Sequence, residues 1–514
     1  MKRRRKLGLA ALLLWTVCIL SMLAACAGKE EAGGASQTGA PSAESGAESP
    51  AAAGGDLKPV ELSWYLPFGQ IPARLQEIED AVNRITKSKI NATVRIKAVN
   101  DYSTKMNTVL ASGEPVDILW TSNWSFSYVE NQQKGAFLAL DELLDQYAPE
   151  VKSSMPQFVW DATKIQGKIY GVPNYQIVTN QEFLGVQNRF LEKYNFDPSV
   201  VKKPEDIEPL LEKIKAGEGK NVIPFTSDRR GKFIAMPHTF GLEFIMSNTV
   251  GAIRWSEPTQ VIDFYNSPEY ERYLDMIHRW YDKGYINEDA PTLKSTTDIS
   301  RSGKEATWYH NVLTPGNESN VKLNNGGYDV TFVPMTEVFA GTNTITSTMQ
   351  AISSSSKNPE RAMMFINLIN TDKELYNLLC YGIEGTDYTK NADNTIKLNK
   401  ESGYYVNSNW IFGNTFNALL VEGQKQENLD KVKQNNEAAA PSPIIGFQFL
   451  TGPVLAEVAN VNSVIDQYGP GLNTGAIDPK EKLAEFRSKL AAAGMDKIIA
   501  EMQKQLDEFY RTKG

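Results

Sequence analysis

Residues 60–66 read VELSWYL, residues 93–97 read TVRIK and residues 116–120 read VDILW. Each run is short and rich in β-branched and aromatic residues, which predicts a strand. Between the runs, apolar residues recur at helical spacing over 75–85, and a second helix is predicted over 103–110 with Ser103 as its cap. Alternating strands and helices predict an α/β fold with a parallel sheet.

The rest of the chain predicts a second α/β region and a helical C-terminus. Two predicted strands, over 169–173 and 328–334, each end in a proline. Helical patterns follow at 138–144, 204–215, 268–283, 362–379, 479–492 and 495–510.

The N-terminus has the pattern of an export signal. Residues 2–6 are basic and residues 7–25 form a nearly unbroken apolar run, as in a secretory signal. A transmembrane anchor is the alternative, because about 20 apolar residues can span a bilayer. The small residues Ala24 and Ala25 directly before Cys26 resemble a bacterial lipobox. The pattern therefore predicts a lipoprotein signal over 1–25 and acylation, such as palmitate, at Cys26.

Charge and composition narrow the function classes. Residues 26–56 are mostly Ala, Gly, Ser, Glu and Pro, which predicts a disordered tether. The chain has 53 Lys and Arg against 61 Asp and Glu, and without the five basic residues of the signal the net charge becomes −13. Such a surface repels phosphate backbones, so no nucleic-acid partner is expected. Three cysteines in 514 residues exclude a disulfide framework.

Catalytic motifs are absent from the sequence. No His-Glu-x-x-His, Gly-x-Ser-x-Gly, Walker or Cys-x-x-Cys pattern occurs. The three histidines, His238, His278 and His310, are far apart in sequence, so a His-rich metal site is not expected. Cys380 lies among apolar residues and is predicted to be a buried small hydrophobe. The turn near Asp393 lacks the spacing of an EF-hand. We therefore predict neither a cofactor nor a metal site.

Aromatic and amide residues stand at predicted strand ends. Trp120, Asn123 and Trp124 accompany the third strand, and Trp308, Tyr309 and His310 end a later one; Asn174, Tyr175 and Gln176 follow a proline. Ligands of α/β sheets lie at the carboxyl ends of strands. Flat aromatic faces stack on sugar rings while amides and carboxylates bind hydroxyls. These clusters predict a ligand site, although core packing is the alternative for each tryptophan.

The order of features resembles the family 1 extracellular solute-binding proteins of ABC importers. The lipobox, the tether, ELSWY at 61–65 and GKIYGVP at 167–173 carry the resemblance. GKEATW at 303–308 and SSKNPERAM at 355–363 add to it. Residues 381–388 and the segment from Asn409 onward resemble a subgroup similar to the lipoprotein LipO.

This resemblance implies a two-lobed periplasmic-binding-protein-like fold of type II. The lobes are joined by a hinge, with a helical C-terminal region. Lobe one is expected over 57–174 plus 336–385, and lobe two over 175–335 plus 386–514 with the C-terminal helices. The ligand-binding residues implied by the resemblance and by the strand-end clusters are Phe68, Trp120, Asn123, Trp124, Tyr175, Trp308, Tyr309, His310, Glu384 and Trp410.

The expected function is capture of a polar solute, most often an oligosaccharide, by lobe closure. The partners are that solute, ABC permease subunits and the membrane through the lipid anchor, with a monomeric protein on the extracytoplasmic face of the cell membrane. The protein is not expected to be an enzyme. A surface-anchored glycan hydrolase, a peptide-binding receptor of the same fold and an adhesive lipoprotein remain alternatives.

Overall fold

The fold was analysed in a computed structural model, which describes residues 57–231, 236–246, 250–311, 315 and 318–513. Strands β1 to β18 span Val60–Pro67, Ala92–Val99, Ile118–Thr121, Lys164–Ile165, Lys168–Ile169, Val172–Pro173, Phe183–Gln187, Ile223–Phe225, Leu242–Phe244, Gly251–Arg254, Glu257–Asp263, Glu305–His310, Val330–Pro334, Phe339–Ala340, Met349–Ile352, Tyr388–Lys390, Ile396–Leu398 and Ala440–Pro441. Helices α1 to α18 span Leu75–Ile90, Tyr102–Ser112, Tyr128–Gln133, Asp141–Tyr147, Pro149–Ser153, Gln157–Thr163, Asn188–Lys193, Glu208–Glu218, Pro268–Asp282, Thr297–Arg301, Glu318–Asn324, Thr342–Ile345, Pro359–Thr371, Lys373–Tyr381, Gln426–Ala438, Leu455–Asn473, Pro479–Ala493 and Met495–Lys513.

The first sheet is built around the three runs that open the fold. Its strand order is β2-β1-β3-β15-β6, in which β1 pairs in parallel with β2 and β3. Strand β15 returns from a distant part of the chain and pairs antiparallel with both β3 and β6. The predicted parallel sheet is therefore confirmed at its centre, and helical crossovers α1 and α2 connect its first strands.

The second α/β region has two sheets. One has the order β13-β7-β12-β8, and the other is an antiparallel arrangement of β9, β10 and β11. The C-terminal helices α17 and α18 confirm the predicted helical end of the chain. Helix α18 packs on β11, where the side chain of Gln503 accepts a hydrogen bond from the backbone of Val261.

Two separate hydrophobic cores define two lobes. The first lobe is centred on Trp64 and Trp120, and the second on Trp280 and Tyr273. The chain passes from one core to the other between Val178 and Leu184, between Val333 and Ala340, and between Ala439 and Ile444. These passages, called hinge segments below, are paired: Phe339 bridges Asn180 and lies beside Ala440. The two-lobed α/β fold predicted from the sequence is confirmed.

The C-terminal third divides differently from the prediction. Residues 386–514 were assigned to the second lobe, but Tyr388, Ile396 and Phe412 lie in the first core. The ring of Phe412 is 5.9 Å from that of Trp64, and the Arg74 guanidinium pairs with the buried Asp387 at 2.5 Å. Burial of these side chains holds the segment on the first lobe, and the third hinge segment then returns the chain to the second.

Three helices differ from the sequence prediction. The helix predicted over 362–379 is two helices, because Asp372 adopts an extended backbone and its side chain accepts a hydrogen bond from the Leu375 amide. Helix α2 begins at Tyr102 after Asp101, so Ser103 is inside the helix and does not cap it. Helix α16 was not predicted from the sequence, and it contains Pro470 near its end.

Within the described ranges, no helix combines the length and the apolarity needed to cross a membrane. The predicted signal over 1–25, the acylation site Cys26 and the tether over 26–56 lie outside the residues that the structure describes.

Candidate functional site

Both lobes line a cleft with a cavity volume of about 390 Å³. The first lobe contributes Asn123, which follows β3, and Glu130 from α3. The second lobe contributes His238 and Glu243. Phe339, in a hinge segment, also lines the cavity. A cavity shared by two lobes and their hinge is one whose size changes when the lobes move.

Three tryptophans meet beside this cleft. Trp120 ends β3 and is fully buried, whereas Trp124 is 64% exposed and Trp410 is half-buried. The ring of Trp120 lies 5.5 Å from that of Trp124 and 6.1 Å from that of Trp410, and the last two are 6.1 Å apart. Trp124 immediately follows Asn123, a cleft residue. This tryptophan cluster offers one open aromatic face on a buried aromatic base.

The polar atoms of these indoles already have partners. Trp120 Nε1 donates to Thr348 Oγ1 at 2.7 Å, and Trp124 Nε1 donates to the Ser347 carbonyl at 2.8 Å. Although Trp124 is exposed, its ring is therefore held by a hydrogen bond and two ring contacts. A fixed aromatic side chain loses little conformational entropy when a ligand covers it.

Buried amides beneath the cluster fix the chain segment that carries Trp410. Asn174 Nδ2 donates to the Trp410 carbonyl at 2.8 Å, and Gln350 Nε2 donates to the Ile411 carbonyl at 2.7 Å. Trp64 Nε1 in turn donates to Gln350 Oε1 at 2.9 Å. Since buried amides that satisfy carbonyls specify one arrangement, this layer places Trp410 against the carboxyl end of the first sheet.

On the second lobe a histidine lies between two glutamates. His238 Nδ1 is 3.2 Å from Glu182 Oε1, and His238 Nε2 is 3.9 Å from Glu243 Oε2. The imidazole also stacks on Phe339 with ring centres 3.8 Å apart. Burial alone would lower the pKa of His238, but its interactions with the two carboxylates outweigh burial and raise that pKa to about 9. The imidazole is therefore positively charged at neutral pH.

His238 and its two flanking glutamates contact all three hinge segments. Glu182 belongs to the first, and its backbone amide donates a hydrogen bond to Thr336 Oγ1 at 3.0 Å. Phe339 belongs to the second. Glu243 Oε2 accepts a hydrogen bond from Ser442 Oγ, in the third, at 2.6 Å. The floor of the cleft is thus tied to the segments about which the lobes would turn.

The second predicted aromatic cluster lies elsewhere. Trp308, Tyr309 and His310 end β12 and line a different cavity of about 380 Å³ within the second lobe, bounded by α10 and α11. Trp308 and Tyr309 are buried, and the Trp308 ring lies against Gly185, where an added Cβ would be 2.6 Å away. The next residue along the chain, Asn311, does line the inter-lobe cleft.

The remaining predicted site residues lie away from the cavity. Phe68 and Tyr175 are 3% and 2% exposed and contact Phe412 and Phe416 in the first lobe. Glu384 is exposed in a loop, where its carboxylate pairs with Lys390 at 2.7 Å. The structure therefore brings Trp120, Asn123, Trp124 and Trp410 together and places the others apart from them.

Cys380 and Asp393, the two potentially reactive groups considered in the sequence analysis, have surroundings that indicate structural roles. Cys380 is 4% exposed, and burial raises the pKa of its thiol, as in an inert core cysteine. Asp393 accepts hydrogen bonds from the backbone and hydroxyl of Thr395 in a turn. Across the described part of the chain, no group of three or more His, Cys, Asp or Glu side chains is placed to hold a metal ion.

Sequence reasoning missed the acidic floor of the cleft. Glu182, His238 and Glu243 are separated by as many as 61 positions, and no motif links them. The same holds for Gln350, which reads as an ordinary polar residue within an apolar strand. One signal was available, because an amide inside an otherwise buried strand requires a partner.

The chain is similar to proteins that bind carbohydrates. A "Carbohydrate ABC transporter substrate-binding protein" of Streptococcus pneumoniae is 30% identical over 478 residues, covering 90% of this chain and 93% of the relative. The "Polygalacturonan/rhamnogalacturonan-binding protein YtcQ" of Bacillus subtilis is 24% identical over 388 residues, covering 68% and 70%. A family model described as a domain of unknown function, DUF3502, matches residues 443–511.

Solved structures agree with the sequence relatives. The N-glycan transport solute-binding protein NgtS of Streptococcus pneumoniae is 28% identical and superposes with a TM-score of 0.76, covering 89% of this chain and 100% of that one. The same protein solved in complex with Man5GlcNAc covers as much and gives a TM-score of 0.63. With this fold, this cleft and near full-length similarity, the chain belongs to the carbohydrate ABC transporter substrate-binding proteins.

Proposed function

We propose that the protein captures an oligosaccharide in the cleft between its lobes and delivers it to the permease of an ABC importer. The observation that carries the proposal is the tryptophan cluster beside the cleft, with the open face of Trp124 next to Asn123. Similar proteins named for carbohydrate or N-glycan transport support it. The fold positions the site and does not itself specify a cargo.

Binding would proceed by stacking and by hydrogen bonding from opposite walls. The apolar face of one sugar ring would cover Trp124, releasing water from both surfaces. Glu130 and Gln133, one helical turn apart on α3, would accept and donate hydrogen bonds to hydroxyls from the first lobe. Asn311 would do so from the second lobe.

Closure would couple this binding to delivery. A ligand that contacts both lobes stabilises the closed form by its differential affinity for that form. The TM-score is 0.76 against one NgtS structure and 0.65 and 0.63 against its complexes with Man1GlcNAc and Man5GlcNAc. This difference supports a conformation in which the two lobes of this protein are arranged differently from the lobes of the NgtS complexes. The permease would then recognise the closed form.

Membrane attachment and subgroup are further parts of the proposal. Cleavage before Cys26 and acylation of that residue would hold a monomer on the extracytoplasmic face of the cell membrane, with residues 26–56 as a tether. Membership in the LipO-like subgroup rests on residues 381–388 and on the chain from Asn409. Mass spectrometry of the purified membrane fraction tests the anchor: an N-terminal peptide beginning at an acylated Cys26 is expected, and an unmodified peptide containing residues 1–25 would contradict it.

Transport without catalysis is the function that the names of the related proteins favour. A glycosidase needs two carboxyl groups on either side of the scissile bond, one of them held as an acid. Glu182 and Glu243 instead flank the same imidazole and accept hydrogen bonds from Thr239 and Trp255. The related proteins are named for binding and transport.

Calorimetry with the chain from residue 57 onward tests the proposal, because that segment contains both cores. Man5GlcNAc, other neutral and acidic oligosaccharides and short peptides would be titrated, and the mixtures analysed for products. Saturable binding of a glycan without turnover is expected. At 100 times its dissociation constant the ligand should raise the free energy of unfolding by about 2.7 kcal/mol. Binding of peptides alone would show that the ligand is a peptide, and release of shorter glycans would show that the protein is a hydrolase.

A further inference from the structure

We infer that the cleft selects uncharged oligosaccharides and rejects those that carry uronic acids. The inference rests on the proposed function and specifies the chemical class of its ligand. Three carboxylates, those of Glu130, Glu182 and Glu243, line the cavity. Among the described residues that line it, none is lysine or arginine, and the one basic side chain is His238.

The imidazole of His238 is not available to a ligand carboxylate. Glu182 and Glu243 lie on its two sides, 3.2 and 3.9 Å away. Its outer atom Nε2 is buried from solvent and has no hydrogen-bond partner. Phe339 covers the ring face at 3.8 Å. A bound uronate would therefore meet the charge of the two glutamates without access to the cation between them.

Glu130 extends the negative charge across the cleft. It is an exposed residue of α3 on the first lobe, opposite the glutamates of the second. The three carboxylates line one cavity, and interactions between charges extend over a screening length of about 10 Å at 0.1 M salt. A ligand carboxylate anywhere in the cavity is therefore repelled from both walls, and closure of the lobes shortens the distances.

Sugar hydroxyls suit the same surface. Ionised carboxylates accept hydrogen bonds from hydroxyl groups, while Gln133 and Asn311 supply both donors and acceptors. A neutral ring can thus replace the water that hydrates these groups. A uronate carboxylate is an acceptor only, so it can accept hydrogen bonds from the amides but can form none with the three glutamates, which repel it.

Matched pairs of ligands test the inference on the chain from residue 57 onward. The first pair is Man5GlcNAc and the same glycan with its primary hydroxyls oxidised to carboxylates. The second pair is galactotriose and trigalacturonic acid, and the methyl esters of both acids serve as uncharged forms. We expect the acids to bind at least tenfold more weakly than their neutral partners at 20 mM salt. Esterification should restore binding, and 0.5 M salt should narrow the gap.

The variant Glu130→Gln removes one charge from the exposed wall. Within this variant, the ratio of neutral to acidic affinity should fall about threefold. Glu142→Gln is the matched control, because Glu142 is an exposed residue of the neighbouring helix α4 and does not line the cleft. In this control variant, the ratio of neutral to acidic affinity should equal that of the unmodified protein. A steric effect of oxidation would instead be insensitive to salt, to esterification and to Glu130→Gln, and would contradict the inference.

The outcomes separate the two proposals. Equal or tighter binding of the acid in either pair overturns the charge selection and leaves an oligosaccharide receptor intact. Trigalacturonic acid is included because one similar protein is named for polygalacturonan. If no member of any pair binds, the proposed function fails and the inference fails with it.

Discussion

The two aromatic clusters of this protein look alike in sequence and differ in the fold. Trp124 follows a strand of the first lobe and is 64% exposed, whereas Trp308 lies within a strand of the second lobe and is 8% exposed. The first ring stands on other tryptophans beside the cleft, and the second fills the space above Gly185. The difference teaches that position relative to the strand end, more than residue type, separates an exposed aromatic surface from a core.

The largest effect that can break this comparison is expected for Trp308→Ala. Removing a buried indole should lower the free energy of unfolding by about 3–5 kcal/mol. Denaturant unfolding measures this, with calorimetry of the remaining folded protein as the second readout. Intact affinity per folded molecule is expected. A loss of affinity without a loss of stability would show that Trp308 binds ligand, as the sequence predicted.

The second prediction concerns the pH dependence of the second lobe. Because the folded-state pKa of His238 is raised to about 9, its stabilisation is fully present below the unfolded pKa of about 6.5. That contribution, about 3 kcal/mol, is lost as the pH rises through 9. The difference in unfolding free energy between the unmodified protein and His238→Gln should therefore shrink from pH 6 to pH 10.

The matched control for this pH dependence is His278→Gln. His278 Nδ1 lies 2.7 Å from the Gly475 carbonyl, far from the cleft. This variant should keep the fall in stability between pH 6 and pH 10, because His238 is unchanged. A pH profile of His238→Gln that runs parallel to that of the unmodified protein would contradict the assignment of charge to His238.

The third prediction concerns Trp124, the exposed tryptophan of the comparison. Trp124→Ala should weaken oligosaccharide binding by about 1–3 kcal/mol and change the free energy of unfolding by less than about 1 kcal/mol, since the ring is largely exposed. Titration calorimetry and thermal unfolding measure the two quantities. Tyr405→Ala, at another exposed aromatic residue, should leave the affinity unchanged. Destabilisation with unaltered affinity would make Trp124 a structural residue.

The smallest effect is expected at Glu384. Its pair with Lys390 joins two side chains that are about half exposed, and such pairs contribute about 0.5 kcal/mol or less. Glu384→Gln should therefore leave both unfolding and oligosaccharide affinity nearly unchanged, as followed by thermal shift with and without ligand. A more than threefold loss of affinity would support the ligand role predicted from the sequence.

The sequence predicts the fold where local patterns and burial agree. Strands β1 to β3 have alternating or continuous apolar residues, and their predicted positions are confirmed within about two residues. The division of the C-terminal third was wrong, because Tyr388 and Phe412 are ordinary aromatics until the first core surrounds them. A segment packs on one lobe or the other because of contacts with residues more than 300 positions away in the sequence. No local pattern encodes such contacts.

The same contrast applies to the candidate site. Residues next to a strand end, such as Asn123 and Trp124, could be predicted, since the edge of a parallel sheet is set by the strands themselves. Glu182, His238 and Glu243 could not, because Glu182 lies in a hinge segment while the other two come from a distant part of the second lobe, and only the fold brings them together. Of the residues that line the cleft, the sequence therefore predicted Asn123 on the first lobe and missed Glu182 and Glu243.

A crystal structure of the chain from residue 57 with bound Man5GlcNAc tests the central claim most directly. The account predicts a sugar ring stacked on Trp124, with hydroxyls reaching residues of both lobes around the 390 Å³ cleft. A glycan bound instead in the cavity beside Trp308 and His310, with the inter-lobe cleft empty, would contradict it.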